Sequence, residues 1–117
     1  MKELKHYINE AFKINKNTKI KKYNYFPKTK DELIDIIKQR IEDDGNECDL
    51  NDIDVSEITD MSYLFCNSHF DGDISRWDVS NVKNMKGMFN TSKFNGDISK
   101  WDVSNVTDMR IMFSFLM

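Results

Sequence analysis

The side chains that could do chemistry in this chain are few and lie far apart in the sequence. His6 and His69 are the two histidines, and Cys48 and Cys66 are the two cysteines. None of them stands in a zinc-ligand spacing or beside a nucleophile motif, and no Gly-rich phosphate loop is present. We therefore expect a protein that is not an enzyme, that uses no cofactor and no metal, and whose two thiols stay free.

Aspartates that recur at a fixed interval are the clearest candidates for a binding surface. One series precedes a serine by two positions each time: Asp54, Asp78 and Asp102, with Ser56, Ser80 and Ser104. A second series consists of Asp49, Asp73 and Asp97. Aligned carboxylates repel one another, so each series needs hydrogen bonds, a cation or a basic partner. We favour turn aspartates that accept backbone N–H bonds over a calcium ladder. An outward face for a protein partner, which would include Arg76 and Lys100, is the second hypothesis.

A basic segment precedes the aspartates. Residues 13–30 hold seven lysines and no acidic residue, so residues 1–30 carry a net charge of +7 and residues 31–117 carry −10, within a total of −3. Lysines for phosphates and aromatic rings for base stacking would suit single-stranded nucleic acid, with the candidates Lys19, Lys21, Lys22, Tyr23 and Tyr25. Alternatively, the lysines are solvated or face the acidic remainder of the chain, while the rings pack down.

An internal repeat sets the elements that position these side chains. Residues 70–93 and 94–117 are identical at 14 of 24 positions, and residues 46–69 form a more divergent first unit with apolar residues at the same places. The sequence therefore divides into residues 1–45 and three units, 46–69, 70–93 and 94–117.

A single unit is too short to bury its own apolar face, so neighbouring units must stack into a solenoid. The pattern over Ile74–Ser80 predicts a short strand with Trp77 and Val79 inward, and the apolar spacing within residues 82–89 predicts a helical turn on the opposite wall. We predict an α/β (α+β) fold in which the strands of successive units stack in parallel.

Residues 1–45 are predicted to form a basic helical cap. One amphipathic helix is expected over residues 3–13. A second helix is expected to begin at the capping box Thr29-x-x-Glu32 and to end near Gly45. Because a solenoid needs a cap over its first unit, this second helix is expected to cover that apolar edge.

The repeat resembles that of one known family. The sequence WDVSNVTDM at residues 101–109 and FNGDIS at residues 94–99 are similar to the repeat of the BspA-like leucine-rich surface proteins, which is also found in mycoplasma lipoproteins of unknown function. The resemblance covers residues 46–117 and implies a leucine-rich-repeat-like solenoid with a non-enzymatic binding role. Asn81 and Asn105 depart from the general leucine-rich pattern, because each falls one residue before its asparagine position.

The third unit ends in apolar residues that could associate with another surface. Ile111 replaces Gly87 in the repeat register, and Phe113, Phe115 and Leu116 follow. An uncovered unit exposes apolar side chains and backbone edge. These residues are expected either to fold back over the core or to form an interface, in a homodimer or with another protein.

The sequence favours a non-catalytic protein–protein interaction module, acting as an adaptor or inhibitor in a bacterial or phage setting. The alternatives are a truncated relative of bacterial surface adhesion proteins and a nucleic-acid-binding protein. No signal peptide, lipoprotein signal or membrane-spanning apolar run is recognisable, so a cytoplasmic location without a membrane partner is expected.

Overall fold

The computed structural model describes residues 22–113, which contain one helix, α1 (Lys30–Asp44). Thr29 Oγ1 accepts a hydrogen bond from the backbone N–H of Glu32 at 3.2 Å. At the other end, the N–H of Gly45 donates to the carbonyl of Ile41 at 2.8 Å. Both ends confirm the boundaries predicted from the capping box and the glycine. The helix predicted over residues 3–13 lies outside the described residues.

Equivalent residues of successive units pair in parallel, which places the three units side by side. Isolated parallel bridges join Asp49 to Asp73, Asp60 to Asn84, and Asn84 to Asp108. No continuous strand forms between residues 22 and 113. The repeat of the sequence is therefore also the repeat of the backbone pairing.

The densest pairing lies in the second half of each unit, where alternate N–H groups donate to the next unit. Four such bonds leave the first unit, each 2.9 Å long, from Met61, Tyr63, Phe65 and Asn67. Three leave the second unit at 2.8–3.0 Å, from Met85, Gly87 and Phe89. Each donor reaches the carbonyl of the residue just before its own equivalent in the next unit. Donors of one unit thus face the next unit, and the carbonyls that accept them face back.

The helical turn predicted within residues 82–89 is wrong. Positive φ angles interrupt any helix there, at Gly87 (62°) and at the equivalent Tyr63 (57°) and Ile111 (50°). Between these positions, N–H groups turn back to the carbonyl three positions earlier, as in the bond from Met88 to Met85 at 3.2 Å. Apolar residues at a spacing of three satisfy such tight turns as well as they satisfy a helix, so the pattern alone did not distinguish the two.

The strand predicted over Ile74–Ser80 is also wrong, although the inward side chains are correct. Trp77 and Val79 are buried, but the Trp77 N–H donates to the carbonyl of Ile74 at 3.2 Å within a turn. Side-chain acceptors hold the adjoining turns, because Asp73 and Asp78 accept the N–H groups two positions later. The outward residues therefore project from turns instead of a pleated strand.

The core between the units is built of aligned aromatic rings. The rings of Phe65, Phe89 and Phe113 follow one another at centroid distances of 5.7 and 5.3 Å, nearly parallel. Trp77 and Trp101 form a second column at 6.4 Å, with their planes 5° apart. Identical residues at identical positions thus stack on one another from unit to unit, which buries a core that no single unit could bury.

The first unit is covered by α1 and by the segment before it. Leu33 and Ile37 of α1 are buried in the same core as the repeats. Tyr25 pairs in parallel with Ile53, and the N–H of Asn24 donates to a carbonyl of the first unit at 2.8 Å. The prediction that the second helix covers the first unit is confirmed.

Candidate protein-interaction face

The predicted partner-binding residues lie on one side of the stacked units, on the turns that follow the bridges at Asp49 and Asp73. We call this surface the charged face and define it by the following residues: Ser75, Arg76, Asp78, Asp97, Lys100 and Asp102. Arg76 and Lys100 occupy equivalent positions in adjacent units, and both are exposed at the surface. The structure therefore brings together the basic and acidic residues that were predicted to form one face.

The first aspartate series supports the backbone of this face. Asp54 Oδ1 accepts the N–H of Ser56 at 3.0 Å, and the equivalent bonds in the next two units measure 3.1 and 3.0 Å. The hydroxyl of Ser80 also donates to Asp78, at 2.6 Å. The hypothesis that these aspartates accept backbone N–H bonds in turns is confirmed. Hydrogen bonds from Ser104, first from its hydroxyl, lower the pKa of Asp102.

The second aspartate series repeats the arrangement. Asp49, Asp73 and Asp97 each accept the N–H of the residue two positions later, at 2.8–2.9 Å. The Ser75 hydroxyl donates to Asp73 at 2.7 Å, and this bond is the largest cause of the lowered pKa of Asp73. Ser99 lowers the pKa of Asp97 in the same way. These carboxylates are held as anions with defined directions.

A third series was missed by the sequence reasoning. Asp60, Asn84 and Asp108 each accept the N–H of the residue two positions later, at 2.8–3.1 Å, in the second half of each unit. The signal was present, since an acidic or amide side chain stands at this position in all three units. It was obscured by the helical interpretation of the surrounding apolar residues.

Three shallow depressions follow one another along the charged face. The first, of about 250 Å³, is lined by Lys22, Asn51 and Arg76 with Asp49 and Asp52. The second and third, of about 240 and 260 Å³, are both lined by Ser75, Arg76 and Lys100. Arg76 borders all three depressions, so the face is a continuous furrowed surface across the units.

Asn81 and Asn105 connect the units at the rim of this face. Asn81 Nδ2 donates to the carbonyl of Ser56 at 2.8 Å, and Asn105 Nδ2 donates to the carbonyl of Ser80 at 2.7 Å. The two asparagines therefore form a ladder between units, although they stand one residue before the position of the general leucine-rich pattern.

The predicted nucleic-acid arm is described only in part. Lys19 and Lys21 lie outside residues 22–113, and Lys22 is exposed beside the first depression. Tyr23 meets Phe26 edge to face at 6.3 Å. The guanidinium of Arg40 lies 5.6 Å from the centre of the Tyr25 ring.

The predicted association end is likewise described in part. Ile111 and Phe113 are 49% and 51% exposed. Phe115 and Leu116 lie outside the described residues. Phe113 stacks on Phe89 through one ring face.

The cysteines and the histidine that the structure describes do not form a reactive cluster. Cys48 and Cys66 are both free thiols, as predicted. Burial raises the pKa of the Cys48 thiol. Between residues 22 and 113, no group of three histidine, cysteine, aspartate or glutamate side chains is arranged to hold a metal ion, and no helix is long and apolar enough to cross a membrane.

Residues 36–116 match the family described as "Mycoplasma protein of unknown function, DUF285". The chain belongs to this family. The match covers the end of α1 and the three units, which are the part of the molecule that carries the charged face. No curated protein and no solved structure matches the chain at a significant level.

Proposed function

We propose that this member of the DUF285 family is a non-catalytic protein–protein interaction module that docks its charged face on a target protein. We also propose that its architecture is a short α+β solenoid of the leucine-rich-repeat-like, BspA-like kind. The stacked units, the parallel bridges and the asparagine ladder support that assignment. In this proposal the repeats supply the surface, and α1 covers the end of their core.

The observation that carries the proposal is the regular juxtaposition of Arg76 and Lys100 on a fixed backbone. Both cations stand one unit apart and border the same two depressions. Turn aspartates on either side, Asp97 and Asp102 among them, use one carboxylate oxygen to hold the backbone, which leaves the side chains in defined positions. A surface ordered before binding loses less conformational entropy when a partner docks.

The pattern of charge on this face suits selection among partners. A basic column, Arg76 and Lys100, runs between the acidic columns that contain Asp97 and Asp102. Alternating charges of this kind attract a partner with the complementary order and repel one with a single sign. We therefore expect the target to present a mixed-charge surface, and we expect binding to weaken as salt concentration rises.

The experiment compares two double charge reversals in the same two units. Arg76→Glu with Lys100→Glu alters the charged face, whereas Lys86→Glu with Arg110→Glu makes the same change of charge at equivalent positions in the second half of each unit. Proteins captured from the cells that express the chain would be quantified by mass spectrometry. We expect the first variant to lose its specific protein at least about tenfold, because reversing two interfacial charges costs more than about 1.4 kcal/mol.

The control variant is expected to retain that protein. Equal retention by both variants, at unchanged thermal midpoints, would contradict the assignment of the face. A third variant tests the acidic columns without disturbing the turns. Asp78→Asn with Asp102→Asn removes two charges, while the amide oxygen can still accept the serine N–H groups. It should also weaken capture, because the partner would lose its acidic contacts.

Nucleic-acid binding through the basic arm is the less supported alternative. Arg40 already lies over the ring of Tyr25, which would otherwise offer that face to a base. Titration with a labelled single-stranded oligonucleotide at low salt tests this alternative directly. Steeply salt-dependent binding by the full chain would favour it over the protein-binding proposal. A location inside the cell, as an adaptor or inhibitor, and a kinship with surface adhesion proteins are the two settings in which the module could act.

A further inference from the structure

The edge of the third unit presents a row of hydrogen-bond donors with a single direction. In the first two units, the N–H groups at three equivalent positions donate to carbonyls of the following unit. The corresponding groups in the third unit belong to Met109, Ile111 and Phe113. Between residues 22 and 113 these three groups donate to no backbone carbonyl. We call them the donor row.

The local backbone of the donor row matches that of the paired units. Ile111 has a φ of 50°, close to the 62° of Gly87. The N–H of Met112 turns back to the carbonyl of Met109 at 3.3 Å, as that of Met88 turns back to Met85. The third unit is therefore already in the conformation that binds a neighbour.

The side chains beside the donor row are those that a further unit would cover. Met109 and Phe113 are 42% and 51% exposed, whereas their equivalents in the second unit, Met85 and Phe89, are 0% and 1% exposed. The ring of Phe89 is covered by Phe113, and an aromatic residue at the next equivalent position would cover Phe113 in the same way. The edge thus combines aligned donors with an apolar strip.

We propose that this edge binds a partner that presents main-chain carbonyls and apolar side chains in the register of this repeat. We assign the partner as a repeat segment of a different protein, which adds to the edge as a further unit would. The proposal uses no residue of the charged face. A failure of one proposal therefore leaves the other standing.

A second copy of this chain does not fit the edge in either orientation. Two donor rows placed edge to edge would oppose N–H to N–H, without an acceptor between them. In a head-to-tail arrangement the acceptors would come from the first unit, but that side is occupied. The carbonyl of Ser62 accepts from Lys30 Nζ at 3.3 Å, and Tyr25 is paired with Ile53. The direction of the row therefore separates a foreign repeat from self-association.

The test measures amide hydrogen exchange by NMR on the full chain, with a synthetic peptide of residues 70–93 as the probe. In the free protein, we expect the donor-row amides to exchange at least tenfold faster than those of Met61 and Phe65. Adding the peptide should slow the donor row at least tenfold. A peptide of the same composition in scrambled order is the control and should have no effect.

Variants show whether the protection arises at this edge. Ile111→Asp places a charge in the apolar strip at a position where aspartate tolerates a positive φ, and it should abolish the protection. Thr107→Asp adds the same charge elsewhere in the third unit and should leave the protection intact. Four results would overturn the proposal: slow exchange of the row in the free protein, no protection by the peptide, equal protection by the scrambled peptide, or protection that grows with protein concentration alone.

Discussion

The indole Nε1 of Trp77 donates a hydrogen bond to the carbonyl of Leu50 at 2.8 Å, across the boundary between the first and second units. Trp101 repeats the contact one unit later, with the carbonyl of Ile74 at 3.0 Å. Both tryptophans are buried, and their rings stack on each other. Each tryptophan therefore joins two units through its polar edge and through its ring faces at once.

Replacing Trp77 by phenylalanine should destabilise the protein by about 2 kcal/mol. The hydrogen bond accounts for about 1 kcal/mol, and the loss of packing by the smaller ring accounts for a similar amount. The measurement is the free energy of unfolding in urea, followed by circular dichroism. Trp101→Phe is the matched comparison, and its smaller expected loss reflects a ring at the last of the stacked units. A larger loss for Trp101 than for Trp77 would contradict this account.

Tyr63 and Gly87 depend on each other in the same way elsewhere in the stack. A Cβ atom at Gly87 would lie within 2.3 Å of the Tyr63 ring, and the φ of Gly87 is 62°. Gly87→Ala should therefore destabilise the protein by about 2–3 kcal/mol, of which about 1–2 kcal/mol arises from the left-handed backbone.

A double-mutant cycle separates the two contributions. In the Tyr63→Ala background the steric conflict is absent, so Gly87→Ala should cost only the backbone part. The free energies of unfolding of the four proteins in urea provide the measurement. Strictly additive losses would show that the ring and the glycine do not interact.

The sequence predicts the stacking of this protein better than its backbone. The period of the repeat, the burial of Trp77 and Val79, and both ends of α1 follow from residue identity, because apolar burial and helix capping depend on local patterns. The turns do not follow, since a spacing of three is common to helices and tight turns. Nor do the positive φ angles of Tyr63 and Ile111, because neither residue type favours that conformation.

The candidate site was partly legible for the same reason. Aspartate two positions before a serine is a turn signal that acts locally, and the charged face inherits its outward positions from those turns. The donor row could not be foreseen, because it depends on the direction of N–H groups in a backbone that the pattern did not specify.

Stability should fall as the pH drops from about 5 to about 2. Hydrogen bonds from Arg110 lower the pKa of Asp108 to about 2, well below the value of about 3.9 in an unfolded chain. A group with a lowered pKa in the folded state stabilises it above the unfolded value. That stabilisation is lost as pH falls through the folded value. Asp73, Asp97 and Asp102 have lowered pKa values as well and act in the same direction.

Asp108→Asn isolates one part of this dependence. The amide keeps the turn, as Asn84 does at the equivalent position, but it cannot ionise. The difference in thermal midpoint between the native protein and the variant should be greatest near pH 6 and should shrink towards pH 2. Glu42→Gln, on the exposed side of α1, is the control. A difference that stays constant across this range would exclude Asp108 as a source of the pH dependence.

Arg40 holds α1 and the first unit together. Its Nη1 lies 2.7 Å from Asp52 Oδ1, its Nη2 donates to the carbonyl of Asp49 at 2.9 Å, and its Nε lies 3.0 Å from Asp44. The side chain is only 17% exposed. Although burial opposes it, bonding to Asp52 and Asp44 leaves the pKa of Arg40 raised. A planar guanidinium can serve all three acceptors, whereas an ammonium cannot.

Arg40→Lys should therefore destabilise the protein by about 2 kcal/mol while keeping the charge, because charge-assisted hydrogen bonds to partly buried groups are lost. The local effect should be larger at the covering segment than in the repeats. Amide exchange of Asn24 and Asp54, which pair the two segments, should accelerate more than that of Met85. Lys38→Arg, on an exposed position of the same helix, is the control for the exchange of one basic residue for another. Uniform acceleration of all three amides would mean that Arg40 acts on global stability alone and does not fasten the cover of the first unit.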